Sequence, residues 1–205
     1  MGKCTTFIAY VLGAIVFMAL GALIAGLSVY YTREDCPSTY TPKAEIHAEC
    51  ALEASSDGPG VTGYIFFHQM EGSPTVTVEG NVTGIAPGPH GFHIHTYGVI
   101  GGECGPAEGH YNPDGFDHAA PTSPQRHVGD LGNIESVDDG TGSGIAYVTI
   151  VDDVIQLYGE NSIVGRSVVV HEGEDDLGLG GDQGSITTGN AGARLACCTI
   201  FLTSH

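Results

Sequence analysis

Positively charged side chains are scarce in this 205-residue chain, which has 6 Lys and Arg against 24 Asp and Glu and a formal net charge of -18. Beyond the N-terminal segment the basic residues are Arg33, Lys43, Arg126, Arg166 and Arg194. The sequence also shows no basic tail after its last predicted strand. Because nucleic acids and heparin-like polyanions are bound by clustered Lys and Arg, we expect neither as a partner.

Charge of either sign is absent from residues 4–32, which are rich in Ala, Leu, Ile, Val and Gly. About 20 apolar residues in a helix span a bilayer, so residues 1–32 are predicted to form a hydrophobic signal-anchor helix. A cleaved signal peptide is the alternative, because Gly26-Leu27-Ser28 resembles a processing site. The positive-inside rule then predicts a type II protein on the extracellular face of the plasma membrane, or a secreted one after cleavage. Residues 33–42 would be a stalk, and residues 43–205 the functional domain.

Apolar and polar residues alternate from Ala44 to Glu53, which is the pattern of a half-buried β-strand. Seven more strands are predicted between Gly, Pro and Asp punctuation, at Val61 to Gln69, Thr75 to Val82, Gly88 to His95, Asp130 to Val137, Ser143 to Val151, Ser162 to His171 and Arg194 to Leu202. The fold class is therefore all-β, a sandwich or barrel of eight strands. Two long connections, residues 96–129 and 172–193, are expected to be functional because structureless loops of that length are uncommon otherwise.

Six histidines and one aspartate have the spacing of metal ligands. His93 and His95 are two apart in a predicted strand, so their side chains share a face. His171 ends another predicted strand, and the remaining members lie in a loop-like segment: His110, His118, His127 and Asp130. This pattern predicts two neighbouring metal sites. Four other histidines are interpreted as ordinary surface or core residues: His47, His68, His90 and His205.

The residues around these histidines resemble the copper/zinc superoxide dismutase family, and most closely its extracellular members. The resemblance runs from about Lys43 to Leu202. It is carried by Gly91-Phe92-His93-Ile94-His95, Gly109-His110-Tyr111-Asn112-Pro113, Arg126-His127-Val128-Gly129-Asp130-Leu131-Gly132-Asn133, Gly165-Arg166, Val169-Val170-His171-Glu172, Asp175-Asp176-Leu177-Gly178 and Gly189-Asn190-Ala191-Gly192-Ala193-Arg194-Leu195-Ala196-Cys197. It implies an eight-stranded Greek-key β-barrel.

The resemblance also implies which residue binds which metal. Copper would be held by His93, His95, His110 and His171, and zinc by His110, His118, His127 and Asp130, so that His110 is shared. Four nitrogen donors suit tetragonal Cu(II), whereas three imidazoles and a carboxylate complete a four-coordinate Zn(II) site. Asp175 would bond the outer nitrogens of His93 and His118 and so fix both rings.

The reaction implied is disproportionation of two superoxide anions and two protons to dioxygen and hydrogen peroxide, with copper cycling between Cu(II) and Cu(I). His110 would carry a proton to the departing peroxide. Arg194 would attract the anion, the alternative being an ordinary surface ion pair. Where many family members place acidic residues and a lysine, this chain has Gln183, Gly184, Ile186 and Thr187. We therefore expect weak electrostatic steering and a weak salt dependence.

The family resemblance extends to the cysteines. Cys104 and Cys197 match the family's intrasubunit disulfide, and Cys50 with Cys198 matches a second bridge of extracellular members, the alternative being two buried thiols. Cys36 is left over and is a candidate for linking subunits. Asn81-Val82-Thr83 is a glycosylation sequon. The family further implies a homodimer or a higher oligomer.

Two other classes of function compete with catalysis. One is a non-enzymatic copper/zinc-binding or copper-delivery module, and the other is an adhesive extracellular β-sandwich whose histidines bind structural zinc. The intact set of His93, His95, His110, His171 and Arg194 argues against the first. The second predicts no copper signal and no activity. A zinc hydrolase is disfavoured because no catalytic carboxylate accompanies an open zinc position.

Overall fold

The computed structural model describes residues 44–56 and 58–204, and this part of the chain contains nine β-strands. They are β1 (Glu45–Ala54), β2 (Thr62–Met70), β3 (Val76–Ile85), β4 (Gly88–His95), β5 (Asp130–Asp138), β6 (Gly144–Asp152), β7 (Ser167–His171), β8 (Arg194–Thr199) and β9 (Phe201–Thr203). A 3-10 helix at Gly105–Ala107 and the short helix α1 (Ser185–Thr188) lie in the two long connections.

Eight antiparallel strands close into a barrel in the order β1-β2-β3-β6-β5-β4-β7-β8, and β8 pairs back onto β1. The predicted all-β class and eight-stranded barrel are confirmed, with β9 as an extra strand that pairs with β1. The neighbouring order β3-β6-β5-β4 is a Greek-key crossover. The predicted N-terminal helix, the stalk and Cys36 lie outside the described residues. Among the residues that are described, no helix has the length and apolar character to cross a membrane.

Two predicted strands differ from the structure, one in its start and one in its continuity. The strand predicted from Ser162 begins only at Ser167, because Gly165 has a φ of 82° and the Arg166 amide donates to Ile163 O in a turn. The strand predicted from Arg194 to Leu202 is divided at Ile200. The chain breaks there because both backbone groups of Ile200 bond the 165–166 turn instead of a strand partner.

The barrel interior is filled by the inward residues of every strand from β1 to β8, among them Ile65, Phe67, Phe92 and Ile94, all fully buried. Each such side chain contributes roughly 1.5–3 kcal/mol relative to an exposed one. Two disulfides reinforce this packing, and both use adjacent residues of β8. Cys198 bonds Cys50 of β1, and Cys197 bonds Cys104 of the first long connection.

The two long connections cover one side of the barrel. They contact each other there, and the His118 amide of one donates to Ile186 O of the other over 2.9 Å. Residues 96–129 join β4 to β5, and residues 172–193 join β7 to β8. The four strands that these connections join are neighbours in the ring, in the order β5-β4-β7-β8. Both connections therefore start and end on the same half of the barrel. The loops are therefore positioned to bring distant polar side chains onto β4 and β7.

Candidate metal centre

The first group of four histidines is built on β4 and β7. Phe92 and Ile94 belong to the barrel core, so the alternate residues His93 and His95 lie on the opposite face of β4, under the loops. The last residue of β7 and one loop residue complete a buried group of His93, His95, His110 and His171, whose ligand atoms all lie within 4.8 Å of one another. An isolated bridge between His95 and His110 fixes the loop to the strand.

The second group shares His110 and adds three side chains that lie around one carboxylate oxygen. The Nδ1 atoms of His110, His118 and His127 lie 2.8, 2.9 and 3.1 Å from Asp130 Oδ1. The second carboxylate oxygen accepts the His127 and Ala119 amides, over 2.9 and 3.2 Å. All four ligand candidates are buried. One imidazole therefore belongs to both groups, with a different ring nitrogen available to each.

Backbone carbonyls orient two rings of the first group. His95 Nδ1 donates to Glu108 O over 2.7 Å, and His171 Nδ1 donates to Gly192 O over 3.2 Å. Both Nε2 atoms are thereby left as lone-pair donors, and they lie 3.3 Å apart. Holding the outer nitrogen of a ligating imidazole in this way fixes its tautomer and its direction.

The other two rings of the first group present buried nitrogens that lack a partner. His93 bonds Asp175 Oδ2 through Nε2 (2.9 Å), and His110 bonds Asp130 Oδ1 through Nδ1 (2.8 Å). Their remaining nitrogens, His93 Nδ1 and His110 Nε2, have no hydrogen-bond partner within the described ranges. A buried nitrogen without a partner is costly, and a metal ion removes that cost. The donor set of four imidazole nitrogens fits copper, and the neighbouring three imidazoles and carboxylate fit zinc.

Asp175 links the two groups. Its carboxylate accepts from His93 Nε2 over 2.9 Å and from His118 Nε2 over 2.7 Å. Asn133 holds the Asp175 backbone by two hydrogen bonds of 2.8 Å, one in each direction. Gly189 packs directly against this arrangement: a Cβ there would lie 2.0 Å from Asp175 Oδ1, and its φ is 65°. Only glycine fits at that position.

Burial sets the charge state of the first group. Desolvation lowers the pKa of His93 and of His95 well below the ordinary value, and it lowers that of His110 as well. The pKa of His171 falls to about 4 for the same reason. All four imidazoles are therefore neutral at pH 7, which is the form that binds a metal.

Carboxylates reverse this effect in the second group. Burial alone would lower the pKa of His118, but Asp130 and Asp175 on its two nitrogens raise it to about 9. Burial alone would raise the carboxyl pKa values, yet the imidazoles lower the pKa of Asp130 and of Asp175 below the ordinary range. Metal uptake at this group must therefore displace a proton from His118 at neutral pH.

Arg194, the first residue of β8, lies beside the end of β7, with His171 as its register partner. Its guanidinium donates to Cys104 O over 2.6 Å and also to Glu108 O, the carbonyl that accepts from His95. Glu108 has a φ of 62°, which is unusual for a residue other than glycine, and this turns its carbonyl toward both donors. Arg194 also lines an open cavity, so its charge is available to a solute.

A buried ion pair that the sequence analysis missed supports the second group. Arg126 donates to the carbonyls of His127, Val128 and Asp130, and its other amino group bonds Asp152 at the end of β6. It thereby ties the ligand-bearing loop to the barrel. One feature of the sequence could have revealed this ion pair. Basic residues are scarce, so an arginine that lies between metal ligands is a candidate for a buried ion pair.

The structure brings together every side chain that the sequence analysis placed at the centre: His93, His95, His110, His118, His127, Asp130, His171, Asp175 and Arg194. His90 is buried nearby, but its two ring nitrogens lie within hydrogen-bond distance of the backbone carbonyls of His171 and Ala86. His47 and His68 lie together on another part of the barrel. His205 lies outside the described residues.

An antiparallel β-barrel with two adjoining ligand groups that share one imidazole defines a class of two-metal proteins. Comparison with protein families agrees: the model of copper/zinc superoxide dismutase (SODC) matches residues 61–200. The chain belongs to the copper/zinc superoxide dismutase family. That family implies copper and zinc as cofactors, and the two buried groups are able to bind metals.

Proposed function

We propose that this protein is an active superoxide dismutase, which converts two superoxide anions and two protons to dioxygen and hydrogen peroxide. The observation that carries the proposal is the position of His110. It offers Nδ1 to one ligand group and, to the other, a buried Nε2 that has no hydrogen-bond partner among the described residues. A structural zinc site alone would not need that second nitrogen. We assign His93, His95, His110 and His171 to copper, and His110, His118, His127 and Asp130 to zinc.

Bound copper would supply the one-electron redox chemistry that each half of the reaction requires. The side chains do the remaining work. His95 and His171 are held by backbone carbonyls, so the geometry around the reacting atoms is fixed before the substrate arrives. His110 Nε2 is the atom that takes up a proton and returns it to the product. Asp130 orients the His110 ring through Nδ1 in the metal-free protein, and zinc would hold the same nitrogen in the loaded protein.

Arg194 provides the positive charge that a small anion needs in a chain with a net charge of -18. Its guanidinium is held beside the centre by hydrogen bonds to Cys104 O and Glu108 O. Cys104 is in turn bonded to Cys197. The disulfide therefore helps to position the group that guides superoxide.

The test compares the full-length wild type with His171→Ala, after loading both with copper and zinc. We expect the variant to lose copper and dismutase activity while it keeps zinc, because His171 belongs only to the first group. Retained zinc shows that the variant is folded. Equal activity in both proteins would overturn the copper assignment. A fully metallated but inactive wild type would instead favour the non-enzymatic copper/zinc-binding module.

We propose that residues 1–32 act as a signal-anchor or as a cleaved signal peptide, and that residues 43–205 act outside the cell. The support is the uncharged run from Cys4 to Thr32 and the pair of disulfides, which oxidising compartments favour. The mass of the mature chain distinguishes the two possibilities, because an anchored protein keeps its N-terminus. Sedimentation of the same preparation tests assembly into a homodimer or a higher oligomer.

We also propose Asn81 as a glycosylation site. Asn81 lies on β3 with Tyr64 of β2 and Tyr147 of β6 as its register partners, and both tyrosine side chains are exposed. Neighbours that are exposed and flat leave room for a glycan and offer it an apolar surface. Treatment with an N-glycosidase should lower the mass of the wild type but not of Asn81→Gln. Equal masses before and after treatment would exclude the modification.

A further inference from the structure

A pair of histidines lies on the barrel, apart from the two groups assigned above. His47 of β1 and His68 of β2 are register partners, and their Nδ1 atoms lie 2.9 Å apart. Strands β4 and β7, which carry His93, His95 and His171, belong to the other half of the ring of strands. The pair is therefore separate from the proposed catalytic centre, and it does not depend on the proposed function.

The pair faces outward together with a carboxylate. Ala48 of β1 and Phe67 of β2 are in the core, so the alternate positions 45, 47 and 68 lie on the outer face. Glu45 Oε2 lies 3.6 Å from His47 Nε2. One ligand atom from each of Glu45, His47 and His68 lies within 4.8 Å of the other two. Three potential ligands thus meet on a solvent-accessible surface.

The geometry and the surroundings of the pair favour copper. Two nitrogens bound at right angles, each at about 2.0–2.1 Å from one ion, are about 2.9 Å apart, as in a tetragonal Cu(II) site. Copper(II) also has the highest affinity of the divalent first-row ions for a given nitrogen site. Met70 is the register partner of Glu45 and is exposed, which places a thioether on the same face. Thr203, the register partner of His47 on β9, has a buried hydroxyl with no hydrogen-bond partner among residues 44–56 and 58–204.

We propose that Glu45, His47 and His68 form a third metal site, which binds one copper ion on the outer face of the barrel. Copper replaces the hydrogen bond between the two Nδ1 atoms, so both imidazoles bind through Nδ1 with their protons on Nε2, and the Glu45 carboxylate supplies a negative charge near His47 Nε2. The acidic chain, at -18, favours a cation there. Nothing in the proposed dismutation requires this site. It gives the protein a copper-binding capacity in addition to its cofactor.

The test titrates Cu(II) into full-length protein that already holds one copper and one zinc per chain. Total copper plus zinc is then counted after excess metal is removed, and electron paramagnetic resonance is recorded. We expect three ions per chain in the wild type, and two in His47→Ala and in His68→Gln. Copper that merely displaces zinc leaves the sum unchanged, so the sum isolates the third site.

Glu49→Gln is the matched control for Glu45→Gln, because Glu49 lies on the same face of β1 but is not in the ligand group. We expect Glu45→Gln to weaken the third copper at least tenfold and Glu49→Gln to leave it unchanged. The original two ions show that each variant is folded. A wild type that stops at two ions, or histidine variants that still take up three, would refute the proposal.

Discussion

The two halves of the metal centre share His110 but set the charge of their histidines in opposite ways. In the group of His93, His95 and His171, burial is the main cause that keeps the imidazoles neutral, neighbouring positive charges add to it, and the pKa of His171 falls to about 4. In the other half, carboxylates raise the pKa of His118 to about 9. Equal burial therefore does not produce equal protonation. The first half is ready to bind a metal at neutral pH, whereas the second is held together by a proton until the metal replaces it.

Among the changes considered, Asp130→Asn should have the largest effect on the difference between the two ligand groups. The substitution removes the only charge among the ligands of the second group, toward which three Nδ1 atoms converge. Losing a side chain that only supports a ligand typically weakens metal binding about 10- to 100-fold. Because Asp130 is itself a ligand, we expect zinc to bind at least about 100-fold more weakly. Zinc retained against a chelator measures the effect. Copper retention serves as the internal control, and unchanged zinc retention would contradict the assignment.

Asp175→Asn should affect both halves, because His93 and His118 each donate to that carboxylate. An amide offers one acceptor oxygen in place of two, so one imidazole loses its partner. We expect zinc to bind about 10- to 100-fold more weakly, with a smaller loss of copper affinity. Asp176→Asn is the control, since Asp176 accepts hydrogen bonds from Ser185 and Asn190 and, within the described part of the chain, from no histidine. A similar loss in both variants would argue against a specific link.

The stability of the metal-free protein should fall on either side of about pH 6.5. The raised pKa of His118 gives stability that is complete below the unfolded value of 6.5 and is lost as pH rises toward about 9. The lowered pKa of His171 contributes nothing above the unfolded value of 6.5 and destabilises the fold progressively as pH falls toward about 4, because the unfolded chain takes up the proton first. Each contribution is about 3 kcal/mol, at about 1.4 kcal/mol per pH unit. Urea unfolding at a series of pH values measures both arms.

His118→Gln sharpens the same experiment. This variant should lose the decline in stability at alkaline pH and keep the one at acidic pH, because all histidines of the first group are still present. Metal-free wild type whose free energy of unfolding stays constant from pH 6.5 to pH 9 would show that the carboxylates do not hold a proton on His118.

The smallest effect concerns salt. Arg194 lies at the centre, whereas the other charges act from farther away. Salt at 0.1 M screens interactions between exposed charges that are more than about 10 Å apart. The helix α1 region contributes Gln183, Gly184 and Ile186 in place of charged residues. We expect the second-order rate constant to change by less than about twofold from low to physiological ionic strength. A steep fall measured by pulse radiolysis would show that further charges steer the substrate.

Local patterns in the sequence predicted the strands and the first two ligands. His93 and His95 follow from the period of a strand, since side chains two apart share a face. The roles of His118 and Asp175 came from the family resemblance, because no periodicity describes the path of a long loop. The loop path depends on contacts such as Arg126 with Asp152, which join residues far apart in sequence. The pairing of His47 with His68 was missed for the same reason: register between strands is set by the whole sheet.

The adjacent cysteines of β8 have a consequence for the order of assembly in the cell. Cys50 and Cys104 both find their native partners in the dipeptide Cys197-Cys198, at separations of 148 and 93 residues. During translation, neither native crosslink can close until every strand from β1 to β7 has left the ribosome. Early oxidation of Cys50 or Cys104 can therefore form only a non-native bond, so productive maturation favours a nascent chain in which these two thiols stay reduced until β8 emerges.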